Sequence, residues 1–307
     1  MPTAKKTTTV SFGSTARHGH DSTPFYQRAL YHTNPSQPTE KHTPPTPPPR
    51  TKHPPQILPQ FPPQLNVIHH HDSQDMCHIP DGSVHLMITS PPYNVGKDYD
   101  ADLSLDSYKT LIRNVLAETY RVLVDGGRAC VNIANVGRKP YIPLHAYIID
   151  LAEQCGFLMR GEIIWDKGAS AGSSCAWGSW RSASNPTLRD VHEYILIFQK
   201  GSFQRHPIGE NSLNRDDFLE HTKSVWRFAT TSAKRAQHPA PFPLELPRRL
   251  INLYSYKGDI ILDPFMGSGT TALAAITCHR PYIGYELEQR YIDVALNHLS
   301  RAQATLL

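Results

Sequence analysis

Residues 89–93 read Thr-Ser-Pro-Pro-Tyr, directly after the apolar run 84–88. This puts a small hydroxyl, a rigid carbonyl and an aromatic ring on one short turn. An amine with two N–H donors needs two acceptors. The Ser90 side chain and the Pro91 backbone carbonyl are a natural pair. Pro91 and Pro92 restrict the backbone, so these acceptors need little reorganisation. They would pull a conjugated amine, a poor nucleophile, toward tetrahedral geometry. Tyr93 offers a face on which a planar ring can stack. Taken alone, the same run also fits a plain turn after a strand.

A second pattern lies far down the chain. Ile260-Ile261-Leu262 runs into Asp263-Pro264-Phe265-Met266-Gly267-Ser268-Gly269-Thr270-Thr271. An acid closes a strand, and two glycines open a helix whose N-terminus carries partial positive charge. No lysine follows the second glycine, so this is not a phosphate-gripping loop. The third glycine of the full dinucleotide fingerprint is missing too. The next strand ends Gly284-Tyr285-Glu286, and a carboxylate there reaches ribose hydroxyls in Rossmann-like sites.

Together, acceptor loop first and glycine loop last, these motifs resemble the amino-methylating DNA methyltransferases of the N4-cytosine/N6-adenine family, β group. The resemblance covers about residues 65–303. It implies S-adenosyl-L-methionine as cofactor and double-stranded DNA as partner. It further implies methyl transfer to a flipped base, and a place in restriction–modification systems beside a cognate endonuclease. Dimers are common among similar enzymes. Ser90, Pro91, Pro92 and Tyr93 would be the catalytic loop. Phe265, Gly267 and Gly269 would line the methionine end of the cofactor, with Asp263 at its amino group and Thr270 at the helix start. Asp72 would be the adenine-edge acid, and Glu286 would take the ribose. His238 and Phe242, in the run His-Pro-Ala-Pro-Phe-Pro, would close the cofactor site; a rigid linker is the plainer reading of that run. Serine in the first loop position is usual for N4-cytosine enzymes, and aspartate for N6-adenine enzymes. The alternatives are an N6-adenine enzyme on the same scaffold, an RNA or protein-amide methyltransferase, and a non-catalytic DNA-binding subunit. The protein-amide family opens its loop with Asn and places it after the glycine loop, which this chain does not do.

The elements around these motifs alternate. Strands are expected at 65–69, 84–88, 128–134, 158–165, 193–198, 260–263 and 282–286. Helices are expected at 74–79, 105–123, 144–155, 244–256, 270–278 and 290–299, with a turn at Asp125-Gly126-Gly127 and a cap at Gly156. Such alternation predicts an α/β fold with a mostly parallel sheet and helices on both faces. With the resemblance, that is a Rossmann-like methyltransferase fold in permuted chain order. Residues 64–307 form the catalytic domain. Residues 1–63, rich in Pro, Thr, His and Lys, read as a disordered or polyproline-like tail.

Two segments suit DNA. Residues 167–190 are long for a connection and carry Trp177, Arg181 and Arg189. Residues 201–237 are polar and basic, with Lys234 and Arg235. Lys97, just after the acceptor loop, is a further candidate phosphate contact.

The bulk numbers agree with this. The 307 residues carry 31 Lys and Arg against 27 Asp and Glu, a net charge of +4. That is compatible with a polyanionic partner without demanding one. Five scattered cysteines, none in Cys-x-x-Cys spacing, argue against a disulfide framework or a zinc site, and for a reducing, cytoplasmic setting. The run His69-His70-His71 reads as a polar strand end, so no metal site is expected. No stretch approaches a membrane span, and no apolar core follows Lys5 and Lys6 to make a secretory signal.

Overall fold

The computed structural model describes residues 63–93, 103–136, 140–168, 178–230 and 242–306. The expected tail, residues 1–63, lies outside the described residues but for its last one. So do Lys97, Trp177, Lys234, Arg235 and His238.

Eight strands form one sheet: β1 (Val67–His70), β2 (Val84–Thr89), β3 (Leu123–Ile133), β4 (Leu158–Asp166), β5 (His192–Gln199), β6 (Val225–Arg227), β7 (Ile261–Asp263) and β8 (Tyr282–Glu286). Their order across the sheet is β1-β8-β7-β2-β3-β5-β4-β6. Pairing is antiparallel only at β3/β5 and β5/β4, and parallel elsewhere. The sheet is therefore mostly parallel, as the alternation of elements predicts. The strand before the glycine loop is seventh in the chain, yet it pairs directly with the second, Leu86 opposite Ile261 and Met87 opposite Leu262. That adjacency is the permuted order made visible.

The helices are α1 (Leu105–Val122), α2 (Leu144–Gln154), α3 (Arg215–His221), α4 (Glu245–Tyr254), α5 (Thr270–Thr277) and α6 (Gln289–Leu306). Ser104 starts α1 by accepting the Ser107 amide at 3.1 Å. Gly156, at φ 96°, ends α2. Its amide bonds the Glu153 carbonyl while Phe157 bonds that of Ala152, which closes the helix with two paired turns.

Side-chain alternation along the strands splits the core in two. Met87, Ala129, Val131 and Leu196 face one layer with Ile112, Val115 and Leu116 of α1 and Ile148 of α2. Leu86, Ile88, Cys130 and Ile197 face the other, with Leu250 of α4, Ala274 of α5 and Leu299 of α6. Leu86 is fully buried, and truncation to alanine would cost about 2–5 kcal/mol.

Three expectations need correction. Residues 74–79 form turns, not a helix. Their backbone is claimed from outside: the Met76 amide by Glu118 at 2.9 Å, and the Met76 and Ile79 carbonyls by Arg121, both at 2.9 Å. The Asp125–Gly127 turn is an irregularity inside β3, where Leu123 and Arg128 oppose Val84 and Leu86. Within 201–237, α3 and the edge strand β6 were not foreseen; both are short, at 7 and 3 residues.

Candidate active site

The acceptor loop leaves the C-terminal end of β2, and the glycine loop leaves the same end of its neighbour β7. Ligands of open parallel sheets bind at that edge. The loops touch through the residues just before them. The Thr89 hydroxyl donates to Asp263 Oδ1 at 2.7 Å, between residues 174 apart in the chain. The same oxygen accepts the Phe265 amide at 3.0 Å and so shapes the turn into the glycines. Asp263 is buried, and burial pushes its carboxyl up to about 6 against these hydrogen bonds.

Gly267 and Gly269 both stand at positive φ, 50° and 82°. Only glycine adopts this left-handed region without strain. A Cβ on Gly269 would lie 2.9 Å from that of Ala295 in α6, so the loop is wrapped tightly against that helix. Thr270 begins α5, and Phe265 packs partly buried on the α1 side of the sheet.

Glu286, at the end of β8, accepts the Gly267 amide on Oε2 at 2.8 Å. Its Oε1 accepts the amides of Leu287 and Glu288 at 2.9 and 3.0 Å. These three amides fix the carboxylate beside the loop, and one acceptor direction on Oε2 remains for a hydroxyl donor. Asp72, beyond the end of β1, is oriented by Gln74, whose amide and side chain reach its two oxygens at 2.9 Å. Because β1 pairs with β8, with His70 opposite Glu286, both acids stand at the same sheet edge. Phe242 packs partly buried against the α4 and α5 side.

Beside Asp72, His69 stacks on His78 at 4.4 Å and tilts against Tyr285 at 5.1 Å. Burial and the imidazoles of His78 and His71 push His69 down to about 4. His71, Asp75 and Cys77 bring donor atoms within 4.8 Å of one another, a grouping that the sequence reading does not single out.

The acceptor loop rests on a polar network that the sequence does not reveal. Ser90 Oγ lies 3.1 Å from the Tyr93 hydroxyl, which donates to Glu193 Oε2 of β5 at 3.2 Å. Asn132 of β3 donates from Nδ2 to the same carboxylate oxygen at 2.6 Å and to the Tyr93 oxygen at 3.2 Å. Lys167 pairs with Glu193 Oε1 at 2.6 Å. Burial, then the Glu193 charge, push the Tyr93 phenol well above its ordinary range, so it keeps its proton.

Arg181 and Arg189 stand exposed on the β4–β5 connection. That connection folds on itself through an antiparallel bridge between Gly178 and Pro186.

The chain resembles known proteins in both sequence and fold. The sequence profile of the N6/N4 DNA methylase family matches residues 84–297. The type II methyltransferase M.MjaI of Methanocaldococcus jannaschii is 32% identical over 260 residues, across 71% of this chain and 86% of that protein. TTHA0409 of Thermus thermophilus, assigned as a DNA modification methylase and solved with S-adenosyl-L-methionine, superposes with a TM-score of 0.62 at 30% identity. The match covers 76% of this chain and 93% of that one. The cytosine-N4-specific PvuII DNA methyltransferase superposes with a TM-score of 0.60 over 76% of this chain and 86% of that one. Its identity is 20%, so it speaks to the fold alone.

Proposed function

The chain belongs to the N6/N4 DNA methylase family, and on that premise we propose that it methylates the N4 amine of cytosine in duplex DNA. Methyl transfer to DNA with S-adenosyl-L-methionine as donor belongs to the family; the base, the residue roles and the flipped geometry are our reading. The observation that carries it is the joining of the acceptor loop to the glycine loop through Thr89 and Asp263.

The residues fit the cofactor. The two positive-φ glycines leave room for close backbone approach, the Asp263 carboxylate would pair with the ammonium, and Glu286 would accept from a ribose hydroxyl. S-adenosyl-L-methionine, when bound, supplies an electrophilic methyl group. The chain's own residues do the rest. Ser90 Oγ and the Pro91 carbonyl accept the two amine hydrogens and shift the nitrogen lone pair out of conjugation. Tyr93 stacks on the base, and Pro92 keeps the loop from relaxing. Phe265, Gly267, Gly269 and Thr270 hold the methionine end, Asp72 takes the adenine edge, and Phe242, with His238, closes over it. Serine is short and neutral, and its oxygen accepts from an amine without placing a charge beside it, which suits the cytosine amine. Aspartate, usual in N6-adenine enzymes, is absent from this position.

Arg181 and Arg189 are proposed to contact DNA, together with Lys97, Trp177, Lys234 and Arg235. In this reading the enzyme works beside a cognate restriction endonuclease and pairs with a second copy of itself.

Ser90→Ala tests the assignment. Methyl transfer should fall by about 100-fold or more, as when an oriented polar partner of the reacting group is removed. Cofactor affinity should stay within about twofold, since Ser90 holds the amine and not the cofactor. Equal loss of both would refute the role given to Ser90.

A further inference from the structure

We propose that Glu193 is a positioning residue that makes Ser90 a pure acceptor, by fixing the direction of its proton through Tyr93. This rests on the function proposed above and extends it to a residue outside both motifs.

The hydrogens available to the network fix its direction. A carboxylate only accepts. Glu193 Oε2 has two neighbours that must therefore donate to it, Asn132 Nδ2 at 2.6 Å and the Tyr93 hydroxyl at 3.2 Å. The phenol has one hydrogen, and this contact spends it. The Tyr93 oxygen must then accept from its remaining neighbours. One is Asn132 Nδ2 at 3.2 Å, and the other is Ser90 Oγ at 3.1 Å. The Ser90 hydroxyl hydrogen is thereby committed to Tyr93. Among the described residues no other donor reaches Ser90 Oγ, so its lone pairs are left to accept an N–H of the target amine. Were the phenol hydrogen turned to Ser90 instead, two lone-pair-bearing oxygens would face each other 3.2 Å apart.

The rest of the network supports that direction. Lys167 pairs with Glu193 Oε1 at 2.6 Å and leaves Oε2 to the Tyr93 side. The Asn132 amide must turn its NH₂ toward the carboxylate, because the flipped form would put two acceptors 2.6 Å apart. The cost is visible: Asn132 Oδ1 is buried with no partner among the described residues. A buried acceptor left unpaired costs about 1–3 kcal/mol, so the contact to Glu193 must outweigh it. Glu193 and Asn132 are 8% and 2% exposed, which shields the relay from competing water.

A double-mutant cycle tests this, with methyl transfer to DNA, cofactor affinity and thermal midpoint measured for each variant. Glu193→Gln puts an amide NH₂ where Lys167 or Tyr93 needs an acceptor, so the order of the relay is lost. It should lower kcat by about 10–100-fold, with the KM for DNA and cofactor affinity each within about twofold. Tyr93→Phe keeps the stacking face and deletes only the hydroxyl. It should cost a similar factor, and no more in combination with Glu193→Gln. In a Ser90→Ala background, Glu193→Gln should add less than about threefold, because the proton it directs is gone. The same factor in both backgrounds, or no loss from either single variant, would overturn the inference and leave the network a packing feature. Absence of methyl transfer by the wild-type chain would overturn the functional reading itself, and the inference with it.

Discussion

Thr89 and Asp263 join across two neighbouring strands through a 2.7 Å hydrogen bond, and each is the last residue of its strand. One immediately precedes the acceptor loop, and the other opens the turn into the glycine loop. In the proposed function this contact would set the separation of an amine held at Ser90 from a methyl held over Gly267. Positioning of that kind supplies much of the rate in a direct transfer.

Thr89→Val keeps the shape and removes the donor. Asp263 then loses one of the bonds that hold its charged form, in a site where it is 1% exposed. Folding stability should fall by about 1–3 kcal/mol at pH 8, and methyl transfer should fall more than cofactor affinity does. Thermal unfolding and cofactor titration of the two proteins would check this. An unchanged variant would mean that the two loops are placed independently.

The Asp263 carboxyl gives a pH signature. Its value in the fold is about 6, against an ordinary 3.8, so the folded chain binds this proton more tightly than the unfolded one. Its contribution to stability therefore falls as pH rises from about 3.8 to about 6, by on the order of 3 kcal/mol. In the proposed site binding would run the other way, because pairing of Asp263 with a cofactor ammonium needs the ionised form. Cofactor affinity should weaken below pH 6, by at most about tenfold per pH unit. Asp263→Asn should hold or raise the thermal midpoint of the free protein at pH 8, bind cofactor weakly and lose the pH dependence. Calorimetric titration from pH 5 to pH 8 would show it. A variant that binds as the parent does would remove Asp263 from the cofactor site.

Gly269→Ala adds one carbon at φ 82°, with 2.9 Å to the Ala295 Cβ. The left-handed backbone alone costs an alanine about 1–2 kcal/mol, and the overlap adds to it. Stability should drop by about 2–4 kcal/mol and cofactor affinity should drop with it. Denaturant unfolding with and without cofactor separates the two effects. A tolerated alanine would show that the loop is looser than its contact with α6 implies.

What the sequence made legible was local. A strand followed by Ser-Pro-Pro-Tyr, and another followed by Asp-Pro-Phe-x-Gly-x-Gly, declare themselves in a dozen residues each. Their order along the chain already carried the permuted topology. Glu193 and Asn132 were not legible. In sequence Asn132 is a lone polar residue between Val131 and Ile133 and Glu193 is the polar head of a strand, and only β3 and β5 bring them to Tyr93, 39 and 100 residues away. A carboxylate at the head of the apolar run 194–198 was the available signal. The helix expected at 74–79 failed for a similar reason. Arg121 and Glu118 of α1 claim its backbone groups, and no local pattern reports a partner more than 40 residues off. The edge strand β6 is too short to show a period.

The central claim is that Ser90 presents an acceptor to the N4 amine of cytosine. The most direct test is to methylate mixed-sequence duplex DNA with labelled S-adenosyl-L-methionine, digest it to nucleosides and identify the labelled one by mass. The account predicts N4-methylcytosine. N6-methyladenine as the labelled product would contradict it, keeping the scaffold and the cofactor but overturning the reading of Ser90.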